Sequence, residues 1–457
     1  MKNGMRPRDQ LQRQYRLNVL QLRMDSADGK GMVIFTLTAG DGEEIARLTA
    51  PIGDVGLPAV QSLDLQGETG LEDNRFRLPE RILITLQSLI SETGNPSDPL
   101  WLRISVPRGF LAAVPWERLL QPALGIPVLR LPQYLICPHA PPAHLDFVLC
   151  MSSTTLGEQA QAALVREVIR HVPPALAGKM YFHVFTESKV HPLLHGLAAP
   201  EVPAGRISVH APPASLDDAA SPIARPCENW WLSWMKSVLG ATTADEILFL
   251  CDGYRVRDEG ALVLREPGSI GDADCTERLV FATELVEFLE DVGAWSFTIA
   301  STPCNRSASG LRMLHDRVAQ QRPGPTVLYD MEYRHDLEAL RQSWEFLYMP
   351  PRRPPQWPTL SICCHPLWAS GESVDMESMR QLQQYTLDGK LGERLTAESP
   401  PAWLASVQRK LEATAGELAD AESADPETGR KRAREFVVNT IAEHWQRLSG
   451  NAEGDKK

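Results

Sequence analysis

Between residues 145 and 329 the chain alternates short apolar runs with longer stretches whose apolar residues recur at helical spacing. This alternation restricts the possible folds more than any other feature of the sequence. It predicts strands over 145–151, 180–185, 206–210, 246–251, 296–301 and 325–329. Helices are expected over 158–170, 229–239 and 311–318, and over 284–289 with Thr283 as N-cap. The strand candidates are close to continuously apolar rather than alternating, as strands buried on both faces are, so the reading is an α/β fold with a mainly parallel sheet flanked by helices.

Residues 15–50 have a different character. Runs over 15–24, 32–38 and 44–49 are separated by Asp28-Gly29 and Asp41-Gly42, which are hairpin turn signals. A helix is expected over 78–90, with Ile82, Leu86, Leu89 and Ile90 on one face, and a strand over 100–106. A loop with Pro107, Gly109 and Pro115 follows. The segment 349–358 holds five prolines among arginines and reads as an extended linker, with late helices over 403–418 and 431–448. The organisation expected is a β-rich half at 1–140, an α/β half at 141–348, and a Pro-rich linker with a helical extension at 349–457.

Composition narrows the functional classes. With 58 acidic against 46 basic side chains the formal charge is −12, which argues against nucleic acid as the main ligand. The basic N-terminal stretch, with Lys2, Arg6, Arg8, Arg13, Arg16 and Arg23, lacks the apolar core of a signal peptide and reads as a solvated arm. No apolar run approaches the 18 or so residues of a membrane span. The eight cysteines are scattered at irregular spacing, a pattern of buried free thiols in a reducing compartment, and a cytoplasmic location is expected.

In a parallel α/β sheet the loops at the carboxyl ends of the strands form the functional rim. Two such ends stand out. The run 246–251 leads into Asp252-Gly253-Tyr254, and the run 296–301 leads into Thr302-Pro303-Cys304-Asn305; the spacing from Asp252 to Cys304 is 52 residues. A strand ending in His-Gly, followed about 50 residues later by a strand ending in a nucleophilic cysteine, is the layout of caspase-like peptidases. Residues 100–120, with Pro115-Trp116-Glu117, and residues 245–264, with the glycine-leucine hairpin at Gly260-Ala261-Leu262, resemble the two halves of CHAT domains, which are bacterial caspase-like modules. The resemblance covers roughly residues 15–347.

The resemblance implies a caspase-like cysteine endopeptidase fold, with Cys304 at the nucleophile position, and a protein substrate, a protein partner or self-assembly. Asp252, however, stands where the family has histidine. Moving a proton from a thiol to an ordinary histidine costs about 3 kcal/mol, and to an ordinary aspartate about 6 kcal/mol. An ionised Asp252 would also disfavour a thiolate beside it. His210, at the end of a predicted strand, is the alternative base. His315 lies about three turns along the helix after Cys304, too far for that role, and Asn305, Ser307 and Gly310 are expected to shape the turn and helix start.

Other constellations give less. His191 and His195 have the spacing of a helical metal pair, but Pro192 interrupts them and no third ligand is evident. Cys363-Cys364-His365 reads as a buried strand end. Trp230, Trp231 and Trp234 are at helical spacing and read as core. No nucleotide or cofactor fingerprint is present, and no cofactor or metal is expected. The function expected is a degenerate CHAT-type peptidase of a bacterial defence or signalling system that acts by protein binding or by regulating a protease. The alternative is an active endopeptidase using Cys304 with His210 or Asp252.

Overall fold

The computed structural model describes residues 15–25, 31–58, 71–93, 98–105, 108–131, 144–213, 229–240, 242, 244–265, 277–303, 307–322, 324–331, 337–349 and 352–370. The first three strands, β1 (Val19–Asp25), β2 (Met32–Thr38) and β3 (Glu44–Pro51), form an antiparallel meander. After helix α1 (Glu80–Thr93), strand β4 (Leu100–Ser105) pairs in parallel with β1. Helix α2 (Trp116–Leu124) and strand β5 (Val128–Arg130) complete this half.

The second half builds β6 (Leu145–Ser152), α3 (Glu158–Arg170), β7 (Met180–Thr186), β8 (Ile207–His210) and α4 (Trp230–Leu239). It continues with β9 (Glu246–Val256), β10 (Glu259–Arg265), β11 (Glu277–Phe281), α5 (Ala282–Asp291), β12 (Ser296–Ser301), α6 (Ala308–Gln321), β13 (Thr326–Tyr329) and α7 (Glu338–Tyr348). A last strand, β14 (Leu360–Cys363), follows the proline-rich segment.

The strands form one mixed, mostly parallel sheet, in the order β3-β2-β1-β4-β5-β14-β13-β12-β9-β6-β7-β8, with the β10–β11 ribbon branching from β9. The α/β class and the mainly parallel sheet thus follow the sequence pattern. The reason is visible in β6. Leu145, Phe147, Leu149 and Met151 face one apolar cluster together with α3, while Val148 and Cys150 face another with α4 and α5. Alternate side chains leave opposite faces of a strand, so a strand covered on both sides must be apolar throughout.

Three differences from expectation have physical causes. The segment after residue 349 does not stand apart from the sheet: β14 lies between the halves, antiparallel to β13 and parallel to β5. Its four residues are all buried, and four residues are too short a signal to separate from a loop. Thr283 does not cap α5, which begins one residue earlier with Phe281 at the N-cap and no side-chain cap bond. Asp252 and Gly253 do not follow a strand; they lie inside β9, which runs on to pair antiparallel with β10. The late helices expected over 403–418 and 431–448 lie outside the described residues.

The seam between the halves holds a buried ion pair. Arg130 of β5 donates through Nε and Nη2 to the two oxygens of Glu117, at 2.7 and 3.0 Å, and the Ser361 hydroxyl of β14 adds a third bond at 2.8 Å. Glu117 is the acid of the Pro-Trp-Glu motif. Burial pushes its carboxyl up, but the Arg130 charge and the hydrogen bonds from Arg130 and Ser361 together outweigh burial and hold it below its ordinary value. A depressed acid stabilises the fold fully above its ordinary pKa, and that contribution is lost as pH falls through the folded value. Breaking the pair leaves an uncompensated buried charge. Glu117→Ala is expected to cost about 3–5 kcal/mol in urea unfolding at pH 7, and Glu117→Leu with Arg130→Met to recover more than half of that.

Candidate functional site at the carboxyl ends of β6, β9 and β12

The chain passes from β6 to its neighbour β7 on one side, and from β8 back to β9 on the other side of β6. Such a reversal of strand order opens a crevice at the carboxyl ends of the two strands, the common ligand position of α/β sheets. Here β6 pairs with β9 up to Ser152 opposite Cys251, and β12 pairs with β9 up to Ser301 opposite Cys251. Asp252, the next residue of β9, therefore stands between the β6–α3 loop and the residue after β12.

Its carboxylate fills the crevice. Oδ2 accepts from the Ser153 hydroxyl at 3.0 Å, the Thr154 backbone N–H at 2.7 Å and the Thr154 hydroxyl at 3.0 Å. Oδ1 accepts from the Thr155 hydroxyl at 3.0 Å and from the Thr302 hydroxyl. Asp252 is wholly buried. A carboxylate offers about four acceptor sites, so five donors leave it no capacity to take a further proton donor. Among the described residues no arginine or lysine pairs with it.

The loop that supplies these donors is itself braced. Ser153 Oγ accepts from the backbone N–H groups of Thr155 and Leu156 at 3.2 and 3.1 Å. The buried Gln161 amide of α3 donates to the carbonyls of Ser153 and Leu156 at 3.1 and 2.9 Å. Sequence reasoning did not single out Ser153, Thr154, Thr155 or Thr302. The available signal was a run of four hydroxyl residues, Ser152 to Thr155, directly after an apolar strand and before a helix.

On the β12 side the path of the chain is set by three glycines. A Cβ on Gly260 of β10 would run into the Gly310 carbonyl, one on Gly310 into the Tyr254 carbonyl, and one on Gly253 into Ser307 and Leu311. Helix α6 thus packs backbone to backbone against the β9–β10 hairpin. Ser307, its N-cap, accepts from Gly310 N–H at 3.0 Å, as expected of residues that shape the helix start. Cys304 and Asn305 lie outside the described residues. The residues described on either side are Thr302, which donates to Asp252, and Ser307, whose carbonyl packs against Gly253.

The other half closes the far wall. Arg312 of α6 donates to Asp330 at 3.0 Å, to Asp73 and, through Nε, to the Ala113 carbonyl at 2.6 Å, while Arg118 bridges the same two aspartates at 3.2 and 3.4 Å. Asp330 also accepts from Ser301 at 3.3 Å.

His210 is not part of this arrangement. It ends β8, four strand positions from β12, which is roughly 19 Å at sheet spacing. Its Nε2 meets His183 Nδ1 at 3.2 Å, and His183 Nε2 lies 3.5 Å from Asp146. The two imidazoles are parallel within 4° with centroids 5.4 Å apart, longer than the N···N contact by about two ring radii. The nitrogens therefore lie on the line between the rings and share one proton. Burial above all, then the His183 and His191 charges, lowers the His210 pKa to about 4.

His315 is buried in α6 and pushed down to about 3, burial being the main cause. The thiols of Cys251 and Cys150 are pushed well up by burial and are unreactive. Cys363 ends β14 and Cys364 and His365 follow it, all three buried, and the Trp230, Trp231 and Trp234 rings pack on one another. His191 and His195 face each other edge to face, with centroids 5.3 Å apart. Among the described residues no group of three or more His, Cys, Asp or Glu side chains is arranged to hold a metal ion, and no helix is long and apolar enough to cross a membrane.

The sequence matches no known protein-family model, and no curated protein matches it.

Two outcomes test this geometry. Gly260→Ala is expected to cost about 1–3 kcal/mol in urea unfolding, because the helix backbone has nowhere to move; an unchanged midpoint would contradict the contact. A lowered histidine pKa means that the unfolded chain takes its proton first, so stability is full above about pH 6.5 and falls toward pH 4. In His210→Phe the slope of stability against pH between about 4.5 and 6 should drop by about one proton.

Proposed function

We propose that this protein is a CHAT-type, caspase-like protein whose peptidase site has degenerated, and that it acts by binding a protein partner or regulating a protease in a bacterial defence or signalling system. A cytoplasmic location and possible self-assembly belong to the same reading. Support for the module comes from the adjacency of β9 and β12, which sets residue 252 beside residue 302 two positions before Cys304. The β9–β10 hairpin carrying Gly260 and the Pro-Trp-Glu acid at the seam support it further.

The observation that carries the degenerate form is the Asp252 carboxylate. A general base must accept the proton of the attacking thiol and later return it to the leaving amine. Asp252 is enclosed and fully occupied as an acceptor by Ser153, Thr154, Thr155 and Thr302. The other candidate base, His210, is committed to His183 at the far edge of the second half. Neither residue supports the reading of Cys304 as an active nucleophile.

Alkylation of Cys304 by iodoacetamide against pH, followed by peptide mass spectrometry, tests the proposal. Slow labelling with an apparent pKa at or above the ordinary thiol value of about 8.5 is expected. Fast labelling with an apparent pKa well below that value, lost in His210→Ala or Asp252→Asn, would establish an activated nucleophile and overturn it.

A further inference from the structure

We infer that the β6–α3 loop together with Thr302 is a carboxylate-binding cradle, and that Asp252 occupies it as a ligand supplied in cis. This inference stands whether or not Cys304 reacts. Five donors from two separate loops converge on one carboxylate: three hydroxyls and one N–H from Ser153–Thr155, and the Thr302 hydroxyl. Two of these residues are fully buried, Ser153 at 0% and Thr302 at 1% exposure.

Ser153 and the turn that carries it are fixed by groups other than the ligand. Gln161 holds the Ser153 and Leu156 carbonyls from α3, and the backbone N–H groups of Thr155 and Leu156 turn Ser153 Oγ toward the carboxylate. Donors held by independent bonds keep their places when the acceptor is removed, which makes a site rather than a local contact. They divide between the two oxygens of a carboxylate, three on Oδ2 and two on Oδ1, and their neutrality means that the anion is held by dipoles and hydrogen bonds alone. Buried donors left without an acceptor are costly, so a small anion that satisfies them is bound.

The chemical class follows from the cavity that each truncation leaves. Asp252→Ala removes a carboxylate and leaves room for formate; Asp252→Gly also removes the Cβ and leaves room for acetate.

Thermal midpoints of the full chain, native and in the two variants, are measured against sodium formate, acetate and chloride at equal ionic strength. Both variants should melt lower than the native protein, by roughly 5 °C. Formate should restore at least half of the loss in Asp252→Ala and acetate at least half in Asp252→Gly. Each rise should be saturable, with half-saturation no tighter than about 0.5 mM for formate and about 0.05 mM for acetate, the limits set by ligands of three and four non-hydrogen atoms. Refolding yield in the same salts gives the same comparison for a variant that does not fold unaided. A rise no larger than that in chloride, or the same order of preference in both variants, would overturn the cradle. Cys304 labelling plays no part in this outcome, so failure of the cradle and failure of the degenerate reading are distinguishable.

Discussion

A single buried carboxylate, carried by β9, joins the ends of the two strands on either side of it. Asp252 lies within β9 at the level where β6 and β12 stop, and it takes hydrogen bonds from the loops that follow both. Taking an ionised group out of water costs several kcal/mol unless it is fully hydrogen-bonded. The requirement is mutual: the hydroxyls of Ser153 and Thr302 are buried and need the acceptor as much as Asp252 needs donors, while Thr154 and Thr155 are half-buried. The result is a closed crevice where an α/β sheet ordinarily offers an open one.

The close packing around this point depends on small residues. Gly253, Gly260 and Gly310 let α6 approach the β9–β10 hairpin with no side chain between, and Arg257 turns that hairpin with φ of 56° while the Arg255 guanidinium donates to its carbonyl at 2.7 Å. Across the sheet, Glu117, Arg130 and Ser361 do for the two halves what Asp252 does for the crevice, placing a buried carboxylate where an opposite charge and a hydroxyl meet it. Polar groups of this kind specify position more than they add stability.

Much of the fold was legible in the sequence because the core of the second half is covered on both faces. β2 and β12 and helix α3 have the bounds that periodicity predicts, and β6, β7 and β8 lie within a residue of them. β14 was not legible: the four residues Leu360 to Cys363, between a proline-rich coil and a helical turn, are too few to carry a period, and only pairing with β5 and β13 makes them a strand. The continuation of β9 was hidden by Asp252-Gly253, residues that normally end strands and here continue one because a hairpin partner and a glycine contact hold them. The site was half legible. Asp252 stood out as the wrong residue for a base, but its partners lay in a hydroxyl-rich loop about 100 residues away in sequence, and no local pattern connects them.

The hydrogen exchange rate of the Thr154 backbone amide, followed by NMR, tests the central claim most directly. This N–H sits in a surface-type loop, where an unbonded amide would exchange through local opening. If Asp252 holds it as described, it exchanges at a rate comparable to central β6 amides such as that of Leu149, and the protection is lost in Asp252→Ala. Rapid exchange of Thr154 in the native protein, with Leu149 protected, would contradict a closed crevice and leave Asp252 available as a base.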